Sequence, residues 1–106
     1  MGSDGTVARQ LALQYPDESR WTVSWAFATR RADSIDQARL ILVNAVERLP
    51  HVAIFHFNLA CYECQLGDLE RAKDQLHRAI ALEPRCRLRA LDDEDLKPLW
   101  DSLTAP

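Results

Sequence analysis

Three prolines divide the chain at equal intervals, because Pro16, Pro50 and Pro84 follow one another 34 residues apart. The residues between them repeat at the same offset, with small side chains matching small ones and large apolar side chains matching large ones. The matching pairs are Ala26 with Ala60, Ala38 with Ala72, Leu42 with Leu76, Ala45 with Ala79, Trp25 with Leu59, Val46 with Ile80 and Ile35 with Leu69. A fixed period of this size indicates a stack of similar units, each of which buries its apolar face against the next.

The first full unit, residues 17–50, is predicted to contain two helices. Asp17 is expected to cap a helix that carries aromatic and apolar side chains as far as Arg30. Ser34, followed three residues later by a glutamine, has the pattern of a capping box that starts the second helix. That helix carries its apolar residues at helical spacing and ends at Pro50.

The second unit, residues 51–84, follows the same plan. Its first helix is predicted to end before Gly67, since glycine suits the left-handed position just past a helix. Asp68 then caps a second helix, which Pro84 closes. Residues 5–16 match half of a unit and are expected to form one partial repeat helix.

Both units carry small and apolar residues in the order of a known repeat. The second unit has His56-x2-Leu59-Ala60-x2-Glu63, then Ala72-x3-Leu76 and Pro84. The first has Thr22-x2-Trp25-Ala26-x2-Thr29, then Ala38-x3-Leu42 and Pro50. These patterns resemble the tetratricopeptide repeats (TPR), in which W-x2-L-G-x2-Y is followed by A-x3-F and P over 34 residues. His56 and Thr22 replace the leading aromatic residue, and Glu63 and Thr29 replace the second one.

The resemblance implies a single all-α domain over residues 1–106, built from antiparallel helix-turn-helix repeats stacked as a short right-handed α-solenoid. Residues 85–106 would then cap the last repeat, whose apolar face is otherwise exposed. In this segment, apolar residues recur at helical spacing at Leu96, Leu99, Trp100 and Leu103. We expect Trp100 to lie over the preceding helix near Leu76 and Ile80.

Composition narrows the classes of function. A net charge of −3 provides no general attraction to nucleic acid. No apolar run approaches the roughly 18 residues that a membrane span needs, so we expect no membrane partner. Three cysteines, an odd number, argue against a disulfide framework and favour a reducing compartment, which makes the cytoplasm the expected location.

The pair Cys61-x-x-Cys64 raises the possibility of a metal or redox site. A zinc site usually takes four ligands, often from two such pairs, and no histidine or third cysteine stands at ligand spacing. A redox pair belongs at a helix start that follows a strand, whereas this pair lies late in a predicted helix. We therefore expect small packing residues, with no metal and no cofactor.

The resemblance also places a concave groove on the first helix of each repeat. Its positions fall on Arg20, Val23, Phe27 and Arg30 in the first unit and on Ile54, Phe57, Cys61 and Cys64 in the second. Six of these eight residues are apolar, which is unusual for a surface left in water. A groove that binds an apolar or amphipathic peptide, with Arg20 and Arg30 for its acidic groups, is one explanation. Mutual packing of these side chains, or coverage by the N-terminal segment, is another.

The groove suggests a module that binds an unidentified protein or peptide and serves as a scaffold. The alternatives are a homodimer that buries the groove by self-association and a small chaperone-like TPR protein. One TPR subfamily holds peptide carboxylates with a lysine, asparagine and arginine clamp, and here only Asn58 matches it. No nucleophile stands beside a base, so an enzyme is not expected.

Overall fold

Seven α-helices and one 3₁₀ helix make up the part of the chain that the structure, a computed structural model, describes. This part covers the backbone of residues 3–104 and the side chains of residues 6–104, and it contains no strand. The elements in chain order are α1 (Ser3–Gln14), α2 (Ser19–Ala32), α3 (Ile35–Arg48), α4 (Ala53–Gln65), α5 (Leu69–Leu82), α6 (Cys86–Leu91), the 3₁₀ helix (Glu94–Leu99) and α7 (Trp100–Thr104). The expected all-α class is confirmed.

The period of 34 residues reappears as a recurrence of helices. α2 begins at Ser19 and α4 at Ala53, while α3 and α5 begin at Ile35 and Leu69 and both have 14 residues. Four of the pairs that define the period are enclosed in both units, at no more than 1% exposure: Ala26 with Ala60, Ala38 with Ala72, Leu42 with Leu76, and Ala45 with Ala79. The other three pairs are less completely buried, and Leu69 is 42% exposed. The sequence period therefore corresponds to equivalent positions in the core.

The helix ends agree with the sequence at three positions and differ at one. Ser34 accepts a hydrogen bond from the Gln37 amide at 3.1 Å, and Asp68 accepts one from the Arg71 amide at 3.1 Å, so both predicted caps are confirmed. Gly67 has a φ of +86°, the left-handed conformation expected after α4. The predicted Asp17 cap is wrong, because α2 starts one residue later and its N-cap, Glu18, makes no capping hydrogen bond.

Helix α4 is the centre of the fold. It packs against α2, α3, α5 and the 3₁₀ helix, and most of its side chains are buried. A helix that is apolar on every side is favoured where neighbours surround it. α1 packs on α2 at one end of the array, which measures 46 × 24 × 20 Å.

Polar side chains inside the core are mostly partnered. The ring of His56 lies between the Gln75 side chain and the Pro50 carbonyl oxygen, each 2.7 Å from a ring nitrogen. Glu63 accepts a hydrogen bond from Arg39 at 2.8 Å, which links α4 to α3. The Thr22 hydroxyl, at the position equivalent to His56, is buried without a hydrogen-bond partner. Burial of a polar group without a hydrogen bond costs free energy. His56 and Glu63 avoid this cost, whereas Thr22 does not.

The segment after Pro84 folds onto the core. Leu96, Leu99 and Leu103 are at most 3% exposed and belong to the same apolar cluster as α4 and α5, as a cap requires. Trp100, expected over the preceding helix near Leu76 and Ile80, is half-buried and packs against this cluster, and its indole N–H donates to the Ala90 carbonyl at 2.8 Å. The leucines close the core, and Trp100 anchors the segment to α6.

Helix α6 was not expected from the sequence. It spans only six residues and carries alternating arginines, a composition that gives no clear apolar stripe. Cys86 and Ala90 are its buried positions, and Arg87 donates a hydrogen bond to the Leu103 carbonyl. In the described range, no helix has the length and apolar character that a membrane crossing requires.

Candidate functional site

A groove runs between α2, α4 and the C-terminal segment and forms a cavity of about 880 Å³. Val23 and Phe27 of α2 stand four residues apart and line one side, and Ile54 of α4 lines another. Ala8 of α1 borders the groove at the array's first end, and Asp93 and other residues of the C-terminal segment border it at the far end.

Part of the apolar lining is open to solvent. Phe27 is 51% exposed, whereas Val23 and Ile54 are half-buried and pack against the core. Isolated apolar side chains on a surface are ordinary, but these three share one concavity. The groove can therefore accept an apolar side chain from outside.

One wall of the groove is held by an ion pair between distant parts of the chain. Arg30 of α2 lies 3.4 Å from a carboxylate oxygen of Asp95, and Gln65 donates to the other oxygen at 3.2 Å. The Arg30 guanidinium also lies 5.7 Å from the ring centroid of Tyr62. The side chains of both partners are about a third exposed or less. Solvent therefore screens this ion pair less than it would screen a fully exposed one.

Two further arginines line the groove without a carboxylate partner among the described residues. The Arg31 guanidinium carbon lies 5.8 Å from the ring centroid of Phe27, and that of Arg89 lies 4.9 Å from the ring centroid of Phe57. Neither guanidinium group forms an ion pair or a hydrogen bond with another described residue. Each guanidinium therefore meets an aromatic ring instead of an acidic group.

The groove contains five of the eight residues predicted from the sequence. Val23, Phe27, Arg30, Ile54 and Cys61 line it. The other three do not. Phe57 and Cys64 are buried in the core, and Arg20 points to solvent, where it pairs with Glu18 at 3.5 Å. Phe57 lies under Arg89 of α6, a helix that the sequence did not predict, and for this reason its burial was not expected.

The thiols of Cys61 and Cys64 are free and buried. Burial, with Asp93 and Asp95 nearby, raises the pKa of the Cys61 thiol far above its usual value, and the thiol donates to Asp93 at 3.8 Å. Burial and the same two carboxylates raise the pKa of Cys64 to about 11. Nucleophilic and metal-binding cysteines react as thiolates, so these two thiols are held in the unreactive form.

Sequence reasoning missed several groove residues, including Arg31, Tyr62, Arg89, Asp93 and Asp95. The last three come from the C-terminal segment, which had been assigned only to capping. The charge pattern of that segment, arginines followed by four acidic residues, was visible in the sequence. The sequence did not show that α6 and the turn after it lie beside α2 and α4.

The groove offers binding chemistry. Among residues 6–104, no group of three or more histidine, cysteine, aspartate or glutamate side chains is placed to hold a metal ion. Apolar surface, guanidinium groups and the amide of Asn58 can instead contact a polypeptide. Comparison with protein-family models, with curated proteins and with solved structures finds no match to this chain.

Proposed function

We propose that this chain is a TPR-like interaction module whose concave groove holds a segment of another protein. The observation that carries the proposal is Phe27, which is 51% exposed inside a concavity shared with Val23 and Ile54. Full burial of a phenylalanine side chain is worth about 1.5–3 kcal/mol, so covering the exposed half contributes about 1 kcal/mol. A partner that inserts an apolar side chain into the groove is stabilised by the burial of Phe27 and also by the burial of its own side chain.

The sequence period and the helix lengths support the family assignment. Helices of 13 or 14 residues alternate with short turns, and alanines occupy the buried positions that the repeat reserves for small residues. Stacking of such units as a right-handed α-solenoid, with residues 85–106 as the cap, belongs to this proposal. A scaffold role and a non-enzymatic function follow from the same assignment.

The odd number of cysteines supports a cytoplasmic location. Cys61, Cys64 and Cys86 are free and buried, a state that a reducing compartment maintains. Burial also raises the pKa of Cys86 and keeps this third thiol protonated.

Selection from a displayed library of random peptides tests the groove. Peptides of about 12 residues suit it, because an extended chain of that length spans about 40 Å and the molecule is 46 Å long. Selected peptides should lose binding to the Phe27→Asp variant and keep binding to Leu40→Asp. Leu40, on α3, is 48% exposed and lines none of the described cavities, so it matches Phe27 in exposure.

Two outcomes would contradict the proposal. Peptides that bind both variants equally well would place the binding surface elsewhere. A native dimer that Phe27→Asp converts to a monomer, measured by sedimentation, would assign the groove to self-association. Circular dichroism of both variants checks that the substitutions leave the helices intact. Phe57→Asp is unsuitable for this test, since Phe57 is 3% exposed and its loss would unfold the core.

A further inference from the structure

We infer that the partner segment is acidic as well as apolar, and that Arg31 and Arg89 bind its carboxylates. This inference rests on the proposed function and adds the chemistry of the partner. Three guanidinium groups line the cavity, from Arg30, Arg31 and Arg89, together with the carboxylates of Asp93 and Asp95.

The two carboxylates are already engaged by the chain itself. Asp95 pairs with Arg30 and accepts a hydrogen bond from Gln65. Asp93 accepts the Asp95 amide at 3.0 Å on one oxygen and the Cys61 thiol on the other. Neither carboxylate forms an ion pair with Arg31 or Arg89, and because three guanidinium groups and two carboxylates line the cavity, the charge of the groove is positive by one unit.

The surroundings of Arg31 and Arg89 suit the recognition of carboxylates. A guanidinium stacked on an aromatic ring uses its flat face for that contact and keeps its N–H groups directed outward in the plane. Those N–H groups form paired hydrogen bonds with a carboxylate. The guanidinium carbons of Arg31 and Arg89 lie 5.8 Å and 4.9 Å from the ring centroids of Phe27 and Phe57, within the range of a cation–π contact, which leaves their N–H groups available to a carboxylate.

The chain's own acidic turn shows that a carboxylate fits against α2 here. Residues 92–95 are all acidic, and this turn delivers Asp95 to Arg30 at the end of the groove. Arg31 is the next residue along α2, and Phe27 stands one turn before it. A partner segment with an apolar side chain beside Phe27 and carboxylates near Arg31 and Arg89 would repeat this contact along the groove.

Charge and shape favour a protein segment over a polyanion. A continuous chain of phosphates carries charge along its whole length and would face Asp93 and Asp95 as well as the arginines, whereas a peptide can place its carboxylates at Arg31 and Arg89 alone. A second copy of this chain is also disfavoured, because its acidic turn is held in its own cap by Arg30 and Gln65.

Binding of designed peptides tests the inference directly. The probes are fluorescent peptides of about 12 residues that alternate leucine pairs with glutamates, and the same peptides with glutamine in place of every glutamate. The protein should bind the glutamate peptide about tenfold or more tightly, because charge-assisted hydrogen bonds are roughly twice as strong as neutral ones. This difference should shrink as salt is added.

Variants of Arg31 and Arg89 test whether these two residues cause the preference for the glutamate peptide. The double variant Arg31→Gln/Arg89→Gln should lose the preference for glutamate and keep its affinity for the glutamine peptide. Arg48→Gln is the matched control, since Arg48 is exposed on α3, lines none of the described cavities and has no carboxylate partner in the described chain. The charge-reversed variant Arg31→Glu/Arg89→Glu should instead prefer a lysine peptide.

The outcomes separate this inference from the proposed function. Equal binding of the glutamate and glutamine peptides, with loss of both in Phe27→Asp, would overturn the acidic preference and leave the groove's role intact. Absence of binding by every peptide would overturn both. A single-stranded oligonucleotide that competes with the glutamate peptide, and depends on Arg31 and Arg89, would also overturn the inference in favour of a phosphate ligand.

Discussion

Replacement of Leu96 with alanine measures how much the C-terminal segment stabilises the array. Leu96 is 0% exposed and lies in the same apolar cluster as Leu76 of α5. The substitution removes three carbon atoms from the core, a loss of about 2.4 kcal/mol at roughly 0.8 kcal/mol per buried methylene. The remaining cavity adds to this loss, and buried leucine-to-alanine changes cost about 2–5 kcal/mol. We expect the free energy of unfolding to fall by about 3 kcal/mol.

The assay is urea unfolding followed by circular dichroism, with the free energy extrapolated linearly to water. The matched control is Leu88→Ala, in the same segment, because Leu88 is 73% exposed. A surface change of this kind alters stability by less than about 0.5 kcal/mol. Thermal unfolding should show the same order, with the melting temperature of Leu96→Ala lower by about 10 °C or more.

Equal unfolding midpoints for the Leu96→Ala and Leu88→Ala variants would contradict this expectation. That result would mean that the segment is an acidic tail that does not contribute to the core. Deletion of residues 92–106 provides an independent comparison, since it removes Leu96 together with Leu99 and Leu103. The deletion should cost more than the single substitution, and a smaller cost would contradict the cap.

Three further predictions concern single buried positions, and each uses the same urea assay. Ala72→Leu should lower stability by about 1–3 kcal/mol, because the added side chain overpacks a fully buried contact; unchanged stability would mean that the repeat register is wrong. Thr22→Val should raise stability by about 1 kcal/mol, because it removes a buried hydroxyl without a partner, and destabilisation would reveal a partner. In reducing buffer, stability should fall as pH rises from 9 towards 11, because the unfolded thiol of Cys64 ionises near 9.0 whereas the folded thiol has a pKa of about 11; Cys64→Ala should reduce that slope, and an unchanged slope would exclude Cys64 as a cause.

The periodic part of the fold could be predicted from the sequence because its determinants are local. The 34-residue spacing located α3 and α5, and the caps Ser34 and Asp68 fixed where each begins. Asp17 was wrongly assigned as a cap because Asp17 and Glu18 are adjacent acidic residues. Only the backbone geometry shows that Glu18 occupies the boundary position.

The non-periodic part could not be predicted, because it depends on contacts between distant residues. Phe57 and Cys64 are apolar groove positions by sequence, yet both are buried on α4, where Arg89 of α6 lies over Phe57 and the 3₁₀ helix packs on the same helix. Arg30 and Asp95 are 65 residues apart, and no sequence pattern shows that they meet. The sequence predicted Leu96, Leu99, Trp100 and Leu103 as one apolar stripe, but it could not show that the three leucines are buried while Trp100 is half-buried and bonds to α6.

The buried imidazole of His56 can be used as a probe of local unfolding in the second unit. Because the Pro50 carbonyl can only accept a hydrogen bond, the ring nitrogen beside it carries a hydrogen, and that hydrogen is sealed from solvent. Stacked repeats can open locally from their ends while interior contacts persist. Replacement of this hydrogen by deuterium, followed by nuclear magnetic resonance, would therefore time the opening of the contact between α4 and the turn that contains Pro50, while fraying of α1 leaves it unchanged.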